Sequence, residues 1–168
     1  APKMLVKIYD DRLWIASEGQ LSCYDINTHQ QNIIIQSYIG DFVITPSQKV
    51  IYSEPGKIVS YDLKTMKSEV ISDDVSIVKS LAVDPNEYYL AYVERNMEEL
   101  IVLNLKTNKE IYRVENLEYE DSGKYPIFFS RDSSRLFVSD RINDIEELAD
   151  STVEISLPTQ LNNIELGK

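Results

Sequence analysis

The stretch YDLKTMKSEV, residues 61–70, decides the fold, because the chain writes it four times. Variants stand at 24–33 (YDINTHQQNI), 103–112 (LNLKTNKEIY) and 155–164 (ISLPTQLNNI). In each, an apolar residue, a short polar one and an aliphatic one lead to a threonine. The threonines are Thr28, Thr65, Thr107 and Thr159, separated by 37, 42 and 52 residues, and three positions before them stand Asp25, Asp62, Asn104 and Ser156. A short polar side chain at that place accepts hydrogen bonds from N–H groups just downstream, which shapes a tight turn between two strands. The residues on either side of it, such as Tyr24 with Ile26 and Tyr61 with Leu63, are two apart and share a strand face.

A second marker precedes each turn. It reads FVITPSQKVIYSE at 42–54, LAVDPNEYYLAYVE at 81–94 and IFFSRDSSRLFVSD at 127–140, with a shortened form, VKIYDDRLWIASE, at 6–18. Each is a short apolar strand, a polar turn and a second apolar strand. In the first repeat Asp10, Asp11 and Arg12 form that turn. Gly19 and Gly56 fall in the next connection, where a positive φ costs a glycine least. The second repeat therefore offers strands near 42–45, 49–53, 57–63 and 67–71. Four strands per repeat, at a spacing near forty, is the arithmetic of a β-propeller blade. The expected architecture is all-β: four-stranded antiparallel blades over about 1–36, 37–73, 74–114 and 115–168, forming one domain or part of one.

Composition agrees with a β-rich globular chain. The 168 residues are 43 % apolar and include eleven tyrosines, and no apolar run approaches the length of a membrane span. A formal charge of −11 argues against a nucleic-acid partner, whose phosphates must be met by Lys and Arg. Cys23 is the only cysteine, so neither an internal disulfide nor a cysteine metal cluster can form. The compartment stays open, with a periplasmic or extracellular one favoured over the cytoplasm.

The segment SLAVDPNEYYLAYVERNMEELIVLNLKTNKEI, residues 80–111, resembles the TolB-type, WD-like repeat. That pattern runs through a Ser-Pro-Asp-Gly turn, an alanine-aromatic strand and a strand ending in Asp-Leu-x-Thr-Gly. FFSRDSSRLFVSDR at 128–141 is similar to it as well. The resemblance implies architecture more than chemistry. The chain departs from the pattern where Gln48, Glu87 and Ser134 replace turn glycines, and where Met66, Asn108 and Gln160 follow the threonines. No Gly-His or Trp-Asp pair marks the eukaryotic WD subtype. TolB-like rings usually close with six or seven blades. Four blades are read as a segment of a longer propeller, with a four-plus-four dimer and a compact four-bladed ring as alternatives.

Catalytic and metal motifs are sparse. His29, the only histidine, lies in a hairpin turn without a Gly-x-Ser-x-Gly elbow in the sequence. One His and one Cys make a zinc site improbable, and five scattered glycines build no phosphate loop. Cys23 is expected to pack in a sheet. The acidic stretch at 140–150 lacks EF-hand spacing, but Asn143, Asp144, Glu146, Glu147 and Asp150 there could form a helical turn or two projecting from the blade, as a partner-binding loop. The expected function is a non-enzymatic scaffold for a protein or peptide, without a cofactor. Self-association or additional blades would cover the terminal faces. The alternatives are the accessory or gating propeller of a prolyl-peptidase-like hydrolase whose catalytic domain lies outside this chain, and a lectin-like sugar- or metal-binding propeller.

Overall fold

In the computed structural model of the chain, residues 4–94, 99–115, 127–139 and 152–156 are described. Alternating apolar and polar residues between short polar turns give four sheets in chain order, each an antiparallel meander. The first blade holds β1 (Leu5–Tyr9), β2 (Arg12–Ser17), β3 (Gln20–Asp25) and β4 (Gln31–Ile35). The second holds β5 (Phe42–Ile44), β6 (Lys49–Glu54), β7 (Lys57–Asp62) and β8 (Ser68–Ser72), within two residues of the sequence expectation at every end. The third holds β9 (Val78–Val83), β10 (Tyr89–Glu94), β11 (Glu99–Asn104) and β12 (Lys109–Val114). The fourth holds β13 (Ile127–Phe129), β14 (Arg135–Ser139) and β15 (Thr152–Ser156) among the described residues. The expected helical turns at 143–150 lie outside them, as do Asn143, Asp144, Glu146, Glu147 and Asp150 of the acidic loop, Thr159 and Gln160.

The recurring turns are built as their sequence suggests. Asp62 Oδ1 accepts the N–H groups of Lys64 at 2.8 Å and Thr65 at 3.1 Å. Asp25 does the same for Asn27 and Thr28 at 2.8 and 3.0 Å, and Asn104 for Lys106 and Thr107 at 2.8 and 3.3 Å. Ser156 closes β15, opposite Arg135. His29, Met66 and Asn108 follow the threonines with φ of 59°, 60° and 56°, the left-handed conformation for which glycine is suited. In the other turn family that conformation falls on Gln48, Glu87 and Ser133, at φ of 63°, 57° and 60°. The fourth-blade expectation of Ser134 is therefore one residue late. The hydrogen bond from Ser133 N to Ser130 O matches those from Gln48 to Thr45 and from Glu87 to Asp84, which fixes the count from the head of the turn. In the first blade Arg12 begins β2, and Asp10 and Asp11 alone make the turn, both with positive φ. A two-residue turn of that kind matches the twist of its strands.

The blades stack face to face, with three apolar clusters between them. Trp14, Ala16 and Leu21 of the first blade meet Phe42, Val50, Tyr52 and Val59 of the second. Ile51 and Ile58 of the second meet Leu81, Leu90, Tyr92 and Ile101 of the third. Tyr89, Ala91, Val93 and Leu100 of the third meet Leu136 and Val138 of the fourth. Alternation along one strand thus serves two interfaces, as Val50 and Tyr52 face back and Ile51 faces forward. Every residue of β10 and β11 is buried, because neighbours cover both faces of the third blade. The first strands lie nearest one another across blades, β9 against β5 on one side and β13 on the other, as strands nearest a propeller axis must.

Candidate functional site

Wedge-shaped blades that touch along their cores separate toward their turns, and the separation leaves a groove between blades 1 and 2. It encloses about 490 Å³. Its side walls are the β1–β2 turn (Tyr9, Asp10), the β3–β4 turn (Asp25, Thr28, Gln30) and the β5–β6 turn (Pro46, Gln48), and Leu63 reaches in from the β7–β8 turn. Trp14 and Cys23, paired across β2 and β3, form the inner wall with Arg12, Asn32 and the apolar Ile34 and Ile44. Tyr9 reaches across the blade boundary, its hydroxyl 3.5 Å from the Thr45 carbonyl.

The polar character of this groove is specific. Asp25 spends one carboxylate oxygen on its own turn, and those two N–H donors hold its acid below the ordinary carboxylate range. The other oxygen stands 3.9 Å from Arg12 Nε, a loose and half-exposed pair that leaves the guanidinium free to meet a second acceptor. Burial pushes the Cys23 thiol up, against the smaller opposing pull of Arg12, so it stays protonated and is a poor nucleophile. The Trp14 indole is 2 % exposed, and among the described residues its Nε1–H has no acceptor. Gln30, Asn32 and Gln48 add amides that both donate and accept. Such a wall can hold backbone amides and an apolar side chain. It lacks the base-activated nucleophile that covalent catalysis needs.

The same groove recurs between blades 2 and 3 in smaller form, about 240 Å³, with Lys49, Ile51 and Ser60 where the first has Arg12, Trp14 and Cys23. There Glu87 ties the two blades together, its carboxylate accepting from Ser47 Oγ at 2.5 Å and Ser47 N at 3.1 Å. At the opposite end of the blades a mostly apolar depression of about 310 Å³ lies between Tyr38, Pro55 and Ile77.

The turn residues Asp25 and Thr28 line the first groove; Asp62, Thr65, Asn104 and Thr107 shape turns elsewhere. His29 Nδ1 stands 2.7 Å from the Tyr24 hydroxyl, on the exposed rim of its turn. Among the described residues no group of three His, Cys, Asp or Glu side chains could hold a metal ion. The groove residues Trp14, Arg12 and Asn32 were invisible to motif reading. Their available signal is positional: Trp14 and Arg12 occupy the places of Ile51 and Lys49 one repeat on, and tryptophan is the unusual choice there.

No protein-family model and no curated protein matches the sequence. Solved structures do match in shape. A chain of the mitotic checkpoint complex superposes with a TM-score of 0.62 at 11 % identity, over 76 % of this chain and 40 % of that one. Hsv2 of Kluyvelomyces marxianus gives 0.61 at 14 % identity, over 82 % and 46 %. The tricorn protease gives 0.58 at 17 %, over 79 % and 14 %. At these identities the likeness establishes the fold, a β-propeller-like stack of antiparallel blades, and nothing of the chemistry. The chain spans less than half the length of each of these structures.

Proposed function

We propose that the chain is a TolB-type run of propeller blades that works as a non-enzymatic scaffold, holding a protein or peptide segment. The observation that carries this reading is the groove between blades 1 and 2. Its amides, loosely paired guanidinium and apolar floor suit an extended peptide, and its only thiol is buried and protonated. Rigid blades with variable turns are a fitting frame for such recognition. The likeness to a chain of a multi-protein complex supports the same reading by analogy of fold.

Panning a displayed peptide library against the full chain tests it. Enriched peptides should shift the emission of Trp14, the single tryptophan. They should lose at least about tenfold in affinity with Asn32→Lys, which places a long cation in the groove, about 1.4 kcal/mol of binding. His29→Ala should leave binding unchanged. Peptides that bind without moving Trp14 emission, and equally to Asn32→Lys, would place the site elsewhere.

One observation favours a second reading, an accessory or gating propeller attached to a hydrolase: the match to a stretch covering 14 % of a protease chain. A hydrolase segment in the full open reading frame would select it.

A further inference from the structure

The chain is strongly acidic, yet one end of blades 2 and 3 collects lysines. At that end the β5–β6 and β7–β8 turns of blade 2 are joined by the hydrogen bond from Leu63 N to Gln48 O at 3.0 Å. The β9–β10 and β11–β12 turns of blade 3 are joined in the same way, by Leu105 N to Tyr88 O at 2.9 Å. These turns and the residues that flank them hold Lys49, Lys64, Lys67, Lys106 and Lys109 against three acids, Asp62, Asp84 and Glu87. They are net positive in a chain whose formal charge is −11. The placement repeats. Lys64 and Lys106 each precede the turn threonine, and Lys67 and Lys109 each stand two residues after it. All four are exposed. The series is continuous across the blade boundary, because Lys49 and Lys106 line the same groove of about 240 Å³.

The acids at this end are engaged elsewhere. Asp62 Oδ1 holds the N–H groups of its own turn, and both Glu87 oxygens accept from Ser47. Asp84 is buried and accepts from Tyr89 N and Ser133 Oγ. On the outer strands Glu110 pairs with Arg113, and Glu69 is the one exposed acid left beside the lysines. Among the described residues none of the five lysines makes an ion pair. A single exposed lysine is only solvated; several of one sign on adjoining turns set up a field that an anionic partner feels.

We propose that these turns dock an acidic segment of a partner protein, its carboxylates laid across the blade 2–blade 3 boundary from Lys64 to Lys106. The extent of the strip favours a segment over a broad anionic surface. The corresponding turns of blade 1 carry Asp10, Asp11 and Asp25 and no lysine, so the positive strip stops at that junction. A membrane laid on this end would press on those carboxylates as well. An extended chain a few residues long meets the lysines without them. Exposed charge pairs contribute little affinity singly, but a matched row of them speeds encounter and fixes the orientation of the partner. The strip is separate from the groove between blades 1 and 2, whose walls contain none of these lysines.

The experiment is fluorescence anisotropy on the full chain with a labelled peptide of alternating glutamate and glycine. It is run at about 0.15 M salt, so that the −11 charge of the chain is screened beyond the contact itself. The parent should bind. Lys64→Glu combined with Lys106→Glu, both at exposed positions, should weaken binding at least about tenfold while keeping the parent far-UV spectrum. Lys64→Arg combined with Lys106→Arg should bind like the parent, because the charge carries the contact. Trp14 emission should stay still, since the tryptophan stands in the other groove. A parent that ignores the peptide overturns the proposal, and so does a charge-reversed variant that binds as well as the parent. Emission that shifts with the peptide also overturns it, by returning the peptide to the groove between blades 1 and 2. Vesicles of phosphatidylserine should not bind the parent; binding that depends on Lys64 and Lys106 would assign the strip to a membrane and overturn the acidic segment.

Discussion

Asp41 holds Leu81 by its backbone: Oδ2 accepts the Leu81 N–H at 2.8 Å, across forty residues and one blade boundary. The other oxygen accepts Phe42 N at 2.9 Å and Lys7 Nζ at 3.2 Å, so one carboxylate ties the first strands of three blades together. The backbone before it runs close to its neighbours. A Cβ on Gly40 would stand 2.7 Å from both Ser53 Oγ and the Val78 carbonyl. Asp41→Ala takes the acceptor from the buried Leu81 N–H, while Lys7 Nζ keeps the Phe42 carbonyl, and should destabilise by about 1–3 kcal/mol. Denaturant midpoints of the variant and parent measure it.

The repeated turns predict a chemical equivalence. Asn104 makes with an amide the bonds that Asp62 makes with a carboxylate. Asp62→Ala should lower the denaturant midpoint, and Asp62→Asn should keep it at neutral pH. The two N–H donors hold the Asp62 acid below its ordinary value of 3.8. A depressed folded-state pKa contributes stability that is present above the unfolded value and lost as pH falls through the folded one. Below about pH 4 the parent should therefore lose more stability than Asp62→Asn, as acid titrations of both will show.

Backbone conformation supplies a stabilising change. Met66 has φ of 60° and is 74 % exposed, so its side chain gains little from the position. Met66→Gly should raise stability by about 0.5–1 kcal/mol. Glu87, with the same backbone, should not behave alike, because Glu87→Gly removes both bonds to Ser47 of the preceding blade. Thermal unfolding of the pair separates the two effects.

Ser133 predicts a pH effect of the opposite sign. It is buried and donates to Asp84 Oδ2 at 2.5 Å, and burial raises the Asp84 acid above its usual range despite that bond. A raised carboxyl contributes stability that is present below its unfolded pKa and lost as pH climbs through the folded value. Ser133→Ala removes a donor to the charged form and should cost about 1–3 kcal/mol at pH 7, less near pH 4. Urea unfolding at the two pH values checks the ordering.

What the sequence disclosed was local. Alternation and turn chemistry placed the strands of blade 2 and the roles of Asp25, Asp62 and Asn104, because those bonds span only two or three residues. The positive φ at Met66 and Asn108 was legible as glycine positions filled by other residues, and in the fourth blade the equivalent position is Ser133, three residues after Ser130 as Gln48 is after Thr45. The groove was not legible, since Trp14, Asn32 and Gln48 meet only when two blades pack. The Asp41 clamp was hidden for the same reason, its partners lying 34 and 40 residues away.

The central claim is that successive sheets stack face to face in chain order, and nuclear Overhauser contacts test it most directly. Trp14 is the single tryptophan, and it lies in one cluster with Val50 and Val59 of the next blade. The account predicts cross-peaks from its indole ring protons to the methyls of Val50 and Val59, and from the Tyr89 ring to the Leu136 methyls. Indole cross-peaks to Leu136 or Val138 of blade 4 instead, as a two-sheet sandwich could give, would contradict it.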